Sequence, residues 1–219
     1  MPDDRQKISD VVFELERFTS YLLAGDRSAC RSVAEELLEN GISVLSLYQD
    51  VYQNSLYHIG ELWEQNKISV AREHIATSIV ESLLSLSFPL ICNSSPSGKK
   101  VVVACTANEL HQLGARMVAD IMEMHGWDSY FSGANTPVES LVSLLHELNP
   151  ELLCLSVSTQ INFPSMIETI SQVRSSIPLL PIVVGGQAFR RVSTTDLEQF
   201  EGVRYISSLH ELEEIIGND

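Results

Sequence analysis

Hydrophobic positions along the first ninety residues recur at spacings of three and four, the period of a helix with one buried stripe. Val11, Val12, Leu15, Phe18 and Leu22 form the first stripe, and Gly25 stands where that helix should stop. Asp26 or Ser28 can cap a second, shorter helix through Leu38, closed by Asn40-Gly41, a pair suited to the left-handed turn at a helix end. Val44, Tyr48, Val51, Tyr52, Ile59, Leu62 and Trp63 mark the buried face of a third helix. Ser69 opens a fourth, which runs through Ile75, Ile79 and Leu83 toward Pro89. Four helices with short connections predict an antiparallel bundle over residues 1–92.

The period changes after Cys92-Asn93-Ser94-Ser95-Pro96-Ser97-Gly98, a small, polar stretch that reads as a linker. Short apolar runs at 101–106, 128–133, 151–157 and 180–186, with a weaker one at 203–206, then alternate with helical patterns near 112–125, 137–148 and 163–176 and from His210. Strands that are apolar on both faces and alternate with helices predict a Rossmann-like (flavodoxin-like) doubly wound parallel sheet over residues 99–219. The expected fold class is α + α/β, an N-terminal four-helix bundle cap followed by that sheet. Ligands of such sheets sit beyond the carboxyl ends of the strands, so the chemistry is expected in the loops after strands one, three and four.

Charge removes one class of partner. A formal charge of −15 argues against contact with a phosphate backbone, so no direct nucleic-acid binding is expected. Cys30, Cys92, Cys105 and Cys154 stand far apart and form no metal or redox pair, which fits a reducing cytoplasm. The charged start MPDDRQKISD has no signal-like apolar core, and no uninterrupted apolar run is long enough to span a bilayer. A cytoplasmic protein with no membrane contact is the expectation.

The chemistry begins in Glu109-Leu110-His111-Gln112-Leu113-Gly114, directly after the first strand. A carboxylate two residues before an imidazole can hold one ring nitrogen and leave the other for a metal, although by itself the pattern equally describes a capping or solvent-facing histidine. Ser156-Val157-Ser158 and then Gly185-Gly186 follow at matching distances. Together these segments resemble the D/ExHxxG, SxL and GG signature of the cobalamin (vitamin B12)-binding domains of methionine synthase, the mutases and related regulators. Glu109 stands where many members have Asp, and Ser158 where Leu is usual.

The resemblance implies cobalamin bound base-off, with His111 as the lower cobalt ligand and Glu109 orienting it. Gly114 would let the helix start pass close to the nucleotide tail, and the Ser156 hydroxyl would meet its benzimidazole end. Ser158 would line a wall of the tail pocket, and Gly185 and Gly186 would admit the tail's ribose and phosphate. On its own, the double glycine reads as a tight strand exit. Gly133-Ala134-Asn135-Thr136-Pro137 is similar to the family's loop after strand two.

In the bundle, Trp63 is followed after nine residues by Glu73-His74. The spacing resembles the Wx9EH motif of light-dependent B12 photoreceptors that regulate carotenoid genes. It implies Trp63 packed over the upper ligand, usually 5′-deoxyadenosyl, and His74 as a candidate upper cobalt ligand after light breaks the cobalt–carbon bond; adenosylcobalamin, methylcobalamin and hydroxocobalamin are the candidate cofactors. Without the resemblance the pair reads as packing residues of a helical hairpin.

Such photoreceptors usually carry an N-terminal DNA-binding domain of the MerR kind, whereas this sequence opens in the bundle. The resemblance therefore implies a cobalamin-binding regulator or sensor, not an enzyme, that signals through a protein partner, with homo-oligomers left open. The alternative is a corrinoid protein shuttling methyl groups between methyltransferases, which shares the same cap and domain. A protein-interaction module without cofactor is a third reading. His58, His125, His146 and His210 are expected on the surface or at helix ends, and Glu211, Glu213 and Glu214 on a solvated helix face.

Overall fold

A computed structural model describes residues 4–92 and 94–217, with side chains from Glu14 onward. The side chains of Val11 and Val12 in the first stripe, and Asn93 in the linker, lie outside the described residues. The chain divides into two compact units, Met1–Leu90 and Ile91–Asp219.

Apolar stripes on four helical stretches build the first unit: α1 (Asp4–Ala24), α2 (Arg27–Glu39), α3 (residues 44–64) and α4 (Val70–Leu84). Polar residues set their ends. Asp26 Oδ1 accepts the Ala29 N–H at 2.9 Å, Ser43 Oγ that of Ser46 at 3.0 Å, and Ser69 Oγ that of Arg72 at 3.3 Å, each satisfying an amide the helix leaves open. Phe18, Leu22, Tyr48, Tyr52, Ile59 and Val80 are fully buried, with Phe18 stacked on Tyr52 at 5.3 Å.

The middle of α3, Leu47–Gln53, is π-helical, which puts Leu47, Tyr48, Val51 and Tyr52 all into the core. α4 and the turns after it, as far as Ile91, are by length and composition apolar enough to cross a membrane. Ala76, Ile79, Val80, Leu83 and Leu84 are instead buried in this unit.

Two expected core positions are corrected. Trp63 is 45% exposed, because it sits in the last turn of α3, where the chain turns away. The Lys67 N–H donates to Leu62 O at 2.9 Å and the Asn66 N–H to Trp63 O at 2.8 Å, with Asn66 in the left-handed conformation. Ile75 is 46% exposed, since one residue is about 100° of helix and the buried face of α4 runs through Ala76, Ile79 and Leu83.

In the second unit the strands are β1 (Lys100–Cys105), β2 (Asp128–Gly133), β3 (Leu152–Ser156), β4 (Ile182–Gly185) and β5 (Val203–Tyr205). All neighbours pair in parallel in the order β2-β1-β3-β4-β5, the flavodoxin-like doubly wound arrangement. The connecting helices are α5 (Leu113–Met124), α6 (Val138–Leu148) and α7 (Phe163–Ser176), and α8 (Leu209–Ile216) follows β5. β1 is buried from Val101 to Cys105 and β3 from Leu152 to Leu155, as two-sided helical cover requires. The expectation of burial on both faces fails for β2. It is an edge strand, and Asp128 and Tyr130 face solvent.

Register matters for function. Cys105 pairs with Ser156 and Ser156 with Gly185, so the three motif-bearing segments leave the sheet at one level. β1 and β3 flank the switch in strand order, where an open sheet forms its ligand crevice.

Candidate functional site

The loop after β1 carries the site, and Asn108, at φ 67, turns it sharply enough to bring Glu109 back under the strand ends. Glu109 is completely buried. Its Oε1 accepts the His111 backbone N–H at 2.9 Å and the His111 Nδ1–H at 2.6 Å. Its Oε2 accepts the Ser158 and Thr159 backbone N–H groups at 2.8 and 3.2 Å, and Asn162 Nδ2 at 3.2 Å. Burial pushes this carboxyl's pKa upward, but the bonds from His111, Ser158 and Asn162 outweigh it and hold the group down at about 2.

An ionised Glu109 fixes the imidazole tautomer. With Nδ1 donating to the carboxylate, a neutral His111 carries its lone pair on Nε2, and the ring is 58% exposed at the carboxyl edge of the sheet. A buried anion behind a partly exposed imidazole raises the basicity of Nε2, which suits coordination of a transition metal.

Neighbouring loops hold this arrangement. Asn135 Oδ1, from the loop after β2, accepts the Asn108 N–H at 2.7 Å. Asn162 Nδ2 also donates to Asn108 O at 3.1 Å, and Ser165 Oγ to Ala107 O at 3.0 Å. None of Thr159, Asn162 or Ser165 is evident from the sequence, since each meets the loop from fifty or more residues away. Asn108 and Asn135 carried a local signal, being asparagines in loops that take the left-handed conformation.

Other motif residues lie at the same edge. Ser156 ends β3 in register with Gly185. Ser158 meets Glu109 through its backbone N–H. A Cβ on Gly186, at φ 119, would lie 2.1 Å from Val157 O, so this glycine is required by the chain's own backbone at the strand exit. At Gly185 the nearest atom to such a Cβ would be Ile206 O at 3.4 Å, and at Gly114 there is open space. Thr106, at the exit of β1, is 1% exposed with a hydroxyl that has no hydrogen-bond partner among the described residues. An enclosed orphan hydroxyl, an open helix start and an oriented imidazole at one crevice fit a ligand with a metal and a polar tail.

In the bundle unit, Trp63 closes α3 and Glu73 and His74 lie in the first turns of α4, so the hairpin puts all three at one end. The His74 side chain is 72% exposed and its Nε2 lies 3.6 Å from Glu73 Oε2. Glu73 Oε1 accepts the Thr77 hydroxyl at 2.9 Å. Of the remaining histidines, His58 and His146 are exposed. His125 caps α5, and its Nδ1 lies 3.0 Å from Ile121 O.

A family model described as a B12 binding domain matches residues 99–206, and a second with the same description matches residues 14–86. The chain is 28% identical over 171 residues to the HTH-type transcriptional repressor CarH of Myxococcus xanthus, covering 76% of this chain and 55% of that protein. It is 20% identical over 154 residues to trimethylamine corrinoid protein 1 of Methanosarcina acetivorans, covering 69% and 71%. The chain thus spans about half the length of CarH and of its relative CarA. The structure of the Methanosarcina barkeri monomethylamine corrinoid protein superposes with a TM-score of 0.81 at 11% identity, over 94% of this chain and 98% of that one, a likeness of fold.

Proposed function

From the premise that the chain belongs to the B12-binding-domain family and binds cobalamin, we propose that it is a light-responsive cobalamin sensor that passes its state to a protein partner. The observation that carries this reading is the Trp63–His74 pair: an indole and an imidazole left 45% and 72% exposed at one end of the bundle, without a core to fill. Bound cobalamin would supply a cobalt ion and a light-labile bond to its upper ligand.

The chain's own residues then take distinct tasks. His111 would offer Nε2 to the cobalt, its ring oriented by the Nδ1–H bond to Glu109. Ser156, Gly114 and Gly185 would line the crevice for the nucleotide tail, while Gly186 serves the strand exit beside it. Trp63 is the bundle unit's candidate to shield the cofactor's upper ligand from water, as an indole exposed at the bundle's end. His74, only loosely approached by Glu73, would be the bundle's candidate to offer a second imidazole to cobalt. The charge of −15 favours a protein partner over nucleic acid, and in this reading the chain transforms no substrate.

A methyl-carrier role is the second reading, favoured by the similarity to trimethylamine corrinoid protein 1. Spectra of protein loaded with adenosylcobalamin in the dark and after green light separate the two. The sensor reading expects a light product whose bands change in His74→Ala. A carrier that takes methylcobalamin, refuses adenosylcobalamin and ignores His74→Ala would overturn it.

A further inference from the structure

The two lateral edges of the sheet are finished differently. At one, β5 is three residues long and carries Arg204, whose Nη2 lies 3.7 Å from Glu211 Oε1, while the Ser207 N–H just beyond it donates to Glu211 Oε2 at 2.8 Å. Shortness and charge are among the means by which an edge is kept from pairing with another chain. At the other edge, β2 runs for six residues, Asp128-Ser129-Tyr130-Phe131-Ser132-Gly133, with a charge only at its first position and no proline. Its pairing with β1 shifts register only at the far end, between Val103 and Ala104. Among the described residues no strand lies beyond it.

Backbone direction fixes what this edge offers. The Asp128 N–H donates to Lys99 O at 2.8 Å, so alternation along the ladder points the backbone groups of Asp128 and Tyr130 toward β1 and those of Ser129 and Phe131 outward. Tyr130 is 36% exposed beside them. Charge is balanced locally although the chain carries −15: Arg116 lies over the Phe131 ring at 5.8 Å and Lys99 over the Trp127 ring at 5.2 Å, against Asp128.

We propose that β2 is a self-association edge, at which a second copy of this chain adds its own β2 antiparallel and joins two five-stranded sheets into one. The occupant follows from the spacing of the outward groups. Antiparallel pairing about a two-fold axis at Tyr130 sets Ser129 opposite the partner's Phe131 and Phe131 opposite the partner's Ser129. Each outward residue then exchanges both its backbone bonds, four bonds in all. In this register Asp128 faces the partner's Ser132, which is uncharged, and Tyr130 meets the partner's Tyr130 at the axis, so an aromatic pair forms and no like charges oppose each other. Centring on Ser129 or Phe131 instead runs one bonded pair off the strand start or into the register shift. The pairing is closed by its symmetry and stops at a dimer. It does not depend on the cofactor reading.

The test is sedimentation equilibrium of the full chain up to about 200 µM in about 0.3 M salt, where screening over roughly 6 Å removes most of the repulsion between two acidic chains. One strand pair is a small interface, so a dissociation constant on the order of 10 µM is expected. Ser129→Pro removes an outward N–H from each copy without touching the β1 ladder, and Tyr130→Lys sets like charges together at the axis. Each should weaken dimerisation roughly tenfold or more, with the circular dichroism spectrum unchanged. A chain that stays monomeric at the highest concentration, or a dimer indifferent to both substitutions, would overturn the proposal.

A covalent trap tests the register itself. In a Cys92→Ser background, which removes the exposed thiol, Tyr130→Cys should give a disulfide-linked dimer on oxidation with diamide, since facing residues of such a pair stand about 4.5 Å apart. Asp128→Cys should not, because two copies of residue 128 stand four strand positions apart, about 13 Å. Equal cross-linking by both, or none by Tyr130→Cys, would refute pairing about Tyr130.

Discussion

The loop around His111 and the bundle end around Trp63 and His74 are built on opposite principles. At the loop, one fully buried carboxylate receives hydrogen bonds from four residues on two loops, and a third loop braces the adjacent Asn108. At the bundle end, His74 has a 3.6 Å approach to Glu73, and Trp63 is nearly half exposed. A ligand that must hold a metal in every state benefits from a preorganised mount, because the cost of ordering it is met during folding. A residue that responds to a change of state needs freedom to move, and weak local holding gives it that freedom.

The contrast should appear first in stability. Glu109→Ala leaves the Ser158, Thr159 and Asn162 donors without their buried acceptor, and thermal or urea unfolding of the apoprotein should show a loss of about 3 kcal/mol or more. A small change there would mean that water replaces the carboxylate and that the mount is not preorganised.

Acid sharpens the comparison with a smaller effect. Glu109 is held at about 2 in the folded protein against an ordinary 4.5, so the unfolded chain takes up this proton first as pH falls. Its contribution to stability should be complete above about pH 4.5, decline below that and vanish near pH 2. Urea unfolding across this range should show the decline in wild type and lose that part of it in Glu109→Gln.

The smallest effect is expected at the other region. Trp63→Ala and His74→Ala should each move apoprotein stability by no more than about 0.5 kcal/mol, because neither side chain fills the core. A loss near 2 kcal/mol for either would make it a packing residue and remove the reason to regard the bundle end as responsive.

What could be read in the sequence follows the range of the interactions. Strand and helix boundaries were legible because periodicity and capping are local: β2 spans the expected 128–133, and Ser69 caps α4 as anticipated. The Glu109–His111 pairing was legible for the same reason, two residues apart in one loop. Thr159, Asn162 and Ser165 were not, because ordinary polar residues give no sign of a contact made fifty residues away. The π-helical stretch of α3 was also hidden, since its apolar residues satisfy an α-helical pattern almost as well. Trp63 was misplaced because periodicity assigns a face but does not say where along a helix the core ends. For Gly186 the simpler reading, a tight strand exit, matches the close approach to Val157.

The most direct test of the account is the electron paramagnetic resonance spectrum of protein loaded with cobalamin and reduced to the Co(II) state, grown with ordinary or with 15N-labelled histidine. The account predicts that the axial-nitrogen splitting changes from a three-line to a two-line pattern on labelling and disappears in His111→Ala. A three-line pattern indifferent to histidine labelling would show the cofactor's own base on cobalt and would contradict the role assigned to His111.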